Sequence, residues 1–164
     1  MAEYKGNNLF EKLGSLIPGY KGYSEREGRR DTDKILRDHI AESLKQNIPM
    51  LHKWNKIFLK EGKLDKLTEV EDLQKKLMIL SDQIKFAQYG NSGFFDIVQV
   101  NEDTLDRLYL YDLDFKEKTD QLIKNLHKTN SNEEKEEAFD KLIEQLDALK
   151  QIVKNRDNVI LEIE

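Results

Sequence analysis

Residues 68–90 read TEVEDLQKKLMILSDQIKFAQYG, and within them Val70, Leu73, Leu77, Leu80, Ile84 and Ala87 recur at alternating steps of three and four. That spacing sets the apolar residues on one seam of an α-helix and leaves charged residues around the rest of its circumference, the heptad pattern of a coiled coil. Thr68 with Glu71 has the form of a capping box that would open the helix, and Gly90 is a residue that stops one.

Toward the C-terminus the same grammar repeats. After Asn101 the seam runs Leu105, Leu108, Asp112, Phe115, Thr119, Leu122 and Leu126. Ser131 with Glu134 opens a third run of Phe139, Leu142, Leu146, Leu149 and Val153, with Arg156 and Ile160 continuing the frame. A helix from 102 to 128 would be about 40 Å long, and the short connection 129–132 returns the next helix antiparallel. Residues 90–101, GNSGFFDIVQVN, break the pattern. Two glycines followed by β-branched and aromatic residues read as an extended apolar strap lying along the bundle.

Toward the N-terminus, Leu36, Ile40, Leu44 and Ile48 line one stripe of a helix over 25–47, which Ser24 and Glu27 would cap. Pro49 then reads as the first residue of a helix over 50–61 that carries Leu51, Trp54 and Phe58 and is closed by Gly62. Asn8, with Glu11 three residues on, precedes a short amphipathic helix of Leu9, Phe10, Leu13, Leu16 and Ile17 that Pro18 and Gly19 end. The expected fold is therefore all-α: an antiparallel bundle of three long heptad-patterned helices over 68–89, 102–128 and 133–161, packed by the helical pair. Residues 1–23 form a separate short amphipathic helix and PGYKGY turn, docked or mobile, and residues 24–164 a single bundle domain.

Composition agrees with amphipathic elements around a thin core, since 38% of the 164 residues are hydrophobic and 36% charged. The absence of cysteine excludes disulfide and thiolate chemistry and favours a reducing, cytoplasmic setting. No stretch approaches the roughly 20 apolar residues that span a bilayer, and the N-terminus lacks the continuous apolar run of a signal peptide. The net charge of −5 is unevenly spread: 14 basic against 10 acidic residues up to Lys66, and 13 against 22 beyond it.

Catalytic patterns are missing. Ferritin-like di-iron bundles need Glu-x-x-His on two helices, and none occurs; His39 with Glu42 shares one helical face but reads more simply as a solvated or hydrogen-bonded polar face. No glycine-rich phosphate loop and no Gly-x-Ser-x-Gly elbow is present. No catalytic residue, cofactor or metal ligand set is assigned, and the protein is expected not to be an enzyme.

Two features resist the plain packing account. Asp112 puts a carboxylate on a heptad seam, where it must find a partner, meet water or shift its pKa. With Tyr109 and Tyr111 it marks a candidate polar pocket or a register-fixing contact to an arginine such as Arg29, Arg30 or Arg107. The plain alternative rotates the helix so that Tyr109 and Leu113 face inward and Asp112 stays wet. The second feature is PGYKGY at 18–23, an aromatic, glycine-rich connector running into basic residues. Tyr20, Lys21, Tyr23, Arg26, Arg29 and Arg30 are types enriched at interface hot spots and form the candidate partner-binding site, unless the tyrosines simply pack on one end of the bundle.

Nucleic acid is disfavoured as a partner, because Glu25, Glu27, Asp31, Asp33 and Asp38 nearly cancel the basic charge in the same window. The expected function is a protein-interaction adaptor or scaffold subunit that binds another protein or itself. The alternative is weak membrane-surface attachment through the N-terminal amphipathic helix and basic turn, with Phe10, Leu13 and Ile17 embedding while Lys12, Lys21 and the arginines meet anionic lipid. A third reading places a carboxylate metal or small-ligand site around Asp112 or His39.

Overall fold

The amphipathic repeats fold as helices throughout the residues that the structure, a computed structural model, describes: 6–87, 101–128 and 135–161. In order these are α1 (Gly6–Leu16), a 3₁₀ turn (Arg26–Gly28), α2 (Arg29–Asn47), a second 3₁₀ turn (Ile48–Met50), α3 (Leu51–Lys60), α4 (Leu64–Lys85), α5 (Glu102–Leu126) and α6 (Lys135–Leu161). The fold is an all-α helical bundle. Among the described residues there is no strand, and no helix is long and apolar enough to cross a membrane. The strap expected over 90–101 and the capping box at Ser131 and Glu134 lie outside the described residues, apart from Asn101.

The elements are where periodicity puts them, but their starts are not. α1 opens at Gly6, so Asn8 lies inside it. α2 opens at Arg29 behind the first 3₁₀ turn, with no side chain capping it, so the box of Ser24 and Glu27 does not form. Pro49 lies in the second 3₁₀ turn rather than opening α3. α4 opens at Leu64, four residues before Thr68. The reason lies at the end of α3. Gly62, at φ +69°, closes a Schellman motif in which Lys63 N–H donates to Phe58 O (2.9 Å) and Gly62 N–H to Leu59 O (3.2 Å), and the chain re-enters a helix at once. At α5, by contrast, Asn101 is a working N-cap, its Oδ1 accepting from Thr104 N–H at 2.9 Å.

Packing departs from three long helices wrapping one another. The α4 seam of Val70, Leu73, Leu77, Leu80 and Ile84 is buried, yet α4 lies most extensively on α2 and α3 and only narrowly on α6. A heptad defines an apolar stripe without saying whose helix fills it, and here the helical pair does. Small residues bring α2 and α4 close: Ser81 Oγ donates to Ala41 O at 2.9 Å, both residues buried.

α5 occupies the middle, against α1, α2 and α6. It runs opposite to α6, since Tyr111 reaches Ile152 while Asn125 meets Gln145. α4 and α6 run the same way, with Lys63 on Glu136 (2.8 Å) and Lys66 on Asp140 (3.7 Å) near their first turns. Trp54, Phe58 and Phe139 form an aromatic knot with ring centroids 5.4–6.0 Å apart, and the Trp54 indole donates to Leu126 O at the end of α5.

Candidate functional site: a buried carboxylate held by a glycine-tyrosine turn

The turn after α1 is made by its own chemistry. Proline presets φ for the second position of a type II turn and glycine supplies the positive φ of the third; Tyr20 N–H accordingly donates back to Ile17 O at 3.1 Å, with Gly19 at φ +83°. Gly22 repeats the device at φ +81°, and space demands it too. A Cβ there would lie 2.6 Å from Tyr109 Oη and 2.8 Å from Phe10 Cε2. The backbone on either side is tied down, Thr32 Oγ1 donating to Gly22 O and Arg29 Nε to Tyr23 O, each at 2.8 Å.

So constrained, the turn aims both tyrosines at α5. Tyr20 Oη donates to Asp112 Oδ2 at 2.8 Å and Tyr23 Oη to the same oxygen at 2.5 Å. Asp112 is 1% exposed and Tyr23 1%. Tyr109, one turn before Asp112 on α5, accepts Tyr23 N–H through its phenol oxygen at 3.0 Å. Phe10, Tyr20, Tyr23 and Tyr109 pack around these bonds with ring centroids 5.9–6.4 Å apart.

The electrostatics follow from burial. The Tyr20 hydroxyl is pushed far above the usual phenol range, first by desolvation and then by the adjacent Asp112 charge. Tyr109 is raised as well, chiefly by burial, with the Tyr23 amide pulling the other way. The arrangement fixes a buried carboxyl group and ties Tyr20 and Tyr23 to α5.

Several expected sites are corrected by this geometry. Asp112 is not wet: Tyr109 and Leu113 do face inward, but α5 is covered on more than one side and Asp112 is buried with them. Tyr111 does not join Asp112 and Tyr109, because a residue two positions from Tyr109 points elsewhere on the helix; its hydroxyl donates to Ile152 O on α6. Of the candidate partner-binding residues, Tyr20, Tyr23 and Arg29 are buried and cannot present an aromatic pair, whereas Lys21, Arg26 and Arg30 stay exposed. Leu13 and Ile17 are fully buried against the bundle and unavailable to a membrane, and Phe10 packs on Tyr20 and Tyr109.

His39 and Glu42 do not converge either, since Glu42 accepts from Gln46. Among the described residues the buried Nε2 of His39 finds no hydrogen-bond partner, and burial, then Lys116, hold its imidazole below the usual range against the pull of Asp120. Among the described residues no group of three or more His, Asp or Glu side chains is placed to hold a metal.

Thr32 and Gly22 belong to the site but were not singled out from the sequence. A threonine in the first turn of a helix carries no signal of its own, and Gly22 was legible only as a turn residue. No protein-family model, no curated protein and no solved structure matches this chain.

Proposed function

We propose that the protein is a non-catalytic interaction protein, an adaptor or scaffold subunit. One observation carries the reading: its conspicuous polar motif is consumed inside the fold, while α4 leaves large apolar side chains outside. Met78 and Ile79 are 48 and 56% exposed on a helix whose opposite face is packed, and Phe86, just past its end, is 67% exposed. Apolar surface concentrated in this way marks a contact site more often than an indifferent face does. The basic residues Lys21, Arg26 and Arg30 outside the turn are a secondary contact region at most, because the tyrosines that would anchor it are turned inward. Membrane attachment has less support, since of Phe10, Leu13 and Ile17 the last two are fully buried and only Phe10, 36% exposed, is left to meet a bilayer.

Crosslinking with mass spectrometry in lysate of the source cells tests the reading. The expected result is a reproducible set of crosslinks from α4 to a protein, this chain or another, that disappears for Ile79→Asp with Met78→Asp in a folded variant. Crosslinks absent from wild type, or unchanged in the variant, would end the proposal.

A further inference from the structure

Toward their C-terminal ends the parallel helices α4 and α6 border an open groove of about 590 Å³ lined by Ile79 and Val153 together with Lys76, Lys150 and Lys154. Toward their N-terminal ends the same seam continues as a narrower cleft edged by Glu69, Asp72 and Asp147 over Leu73 and Leu146, with Lys76 common to both. One face of the molecule thus carries lysines at one end, carboxylates at the other and apolar side chains between. Lys76 is already paired with Asp72 at 2.8 Å and Glu69 with Lys66 at 3.0 Å, but Lys150, Lys154 and Asp147 form no ion pair among the described residues. The two lysines left without an ion pair, on a chain of net charge −5, favour an acidic occupant.

We propose that the occupant is a second copy of this chain, seated about a two-fold axis perpendicular to the groove. In such an isologous contact each surface meets its own reverse, so the lysine end of one copy faces the carboxylate end of the other, twice. Ile79, 56% exposed on the groove of one copy, then packs on the apolar seam between α4 and α6 of the other. The polarity matters: a parallel pairing would set lysines against lysines and is excluded by the same charges that favour the antiparallel one. The inference rests on the interaction reading above and names its partner.

A charge-swap experiment on the full chain tests it. Wild type is expected to shift from monomer to dimer over about a hundredfold range of concentration in light scattering behind size exclusion, with the dimer weakened by salt. Lys150→Glu with Lys154→Glu, and separately Glu69→Lys with Asp147→Lys, should each weaken the dimer about tenfold or more, because every homodimer contact becomes repulsive. Mixing the two variants should restore it, since both contacts of the mixed pair are complementary again. Circular dichroism of each variant separates loss of dimer from loss of fold, and the mixed dimer forms only if both chains are folded. A wild-type monomer at all concentrations, or a dimer indifferent to these substitutions and to mixing, overturns the proposal. A monomer that still crosslinks through α4 to a different protein overturns the self-association alone and leaves the interaction reading standing.

Discussion

Removing the donors that hold Asp112 should expose how strongly the fold depends on them. Tyr20→Phe deletes one of two phenol bonds to a carboxylate that is 1% exposed, keeping the ring and its packing. A hydrogen bond to a charged group contributes about 1.5–3 kcal/mol, and the carboxylate stays behind to be buried with less compensation. For a domain of this size that corresponds to a fall in Tm of about 3–12 °C. Tyr23→Phe should cost about the same, about 1.5–3 kcal/mol, because its amide bond to Tyr109 survives. The double variant should lose about 3–6 kcal/mol unless the carboxylate takes up a proton and limits the loss. Adding Asp112→Leu to the double variant then removes the carboxylate that has lost both phenol bonds, and stability should return to within about 1–2 kcal/mol of wild type. Urea unfolding followed by far-UV circular dichroism measures all four chains, with an unchanged m-value as the check that the denatured state is comparable. The reasoning fails if each single variant costs less than about 0.5 kcal/mol, or if the triple variant is no more stable than the double.

Gly22→Ala should cost about 2–4 kcal/mol, since strain at φ +81° adds to the clash with Tyr109 and Phe10, whereas Gly62→Ala at φ +69°, with open space around it, should cost about 1 kcal/mol; paired urea titrations isolate the steric part. Because the imidazole of His39 is held below its ordinary value, the folded state binds that proton less readily than the unfolded chain, so stability is full above about pH 6.5 and declines as pH falls through the folded-state value; His39→Gln should flatten that limb of the pH–stability curve. Tyr20 is displaced the other way, so its contribution is complete below about pH 10 and lost above it, and Tyr20→Phe should resist alkaline unfolding better than its neutral-pH loss would suggest, as tyrosinate absorbance recorded beside circular dichroism would show. Trp54→Phe strands the Leu126 carbonyl at the end of α5 and should cost about 1–3 kcal/mol by thermal unfolding.

The helices were legible because their signal is periodic and long. Residues 70–84 repeat the pattern often enough that one irregular residue does not spoil it, and every seam position from Val70 to Ile84 is buried. The starts were not legible, because capping boxes at Asn8, Ser24 and Thr68 are local preferences that compete with whatever the preceding turn does. At Gly62 the Schellman closure delivers the chain into α4 before Thr68 is reached, and at Arg26–Gly28 a 3₁₀ turn intervenes. Partner choice was equally hidden, since a stripe of leucines on α4 fits α2 and α3 as well as it would fit α5 and α6. Asp112 and PGYKGY each stood out as anomalies, but they are 89–94 residues apart in sequence, and nothing in either stretch states that one answers the other.

That they do answer each other explains why both anomalies exist. The apolar face of α1 with Leu9, Leu13 and Ile17 could slide along α5, because an aliphatic stripe packs nearly as well one turn up or down. A single buried carboxylate favours the register that brings two phenols to the same oxygen, and other registers give up both bonds, at about 1.5–3 kcal/mol each. Gly19 and Gly22 then become necessary: only a chain that turns through positive φ twice within four residues can bring Tyr20 and Tyr23 onto one side. On this account the Asp112 site selects one docking of the N-terminal helix over its neighbours.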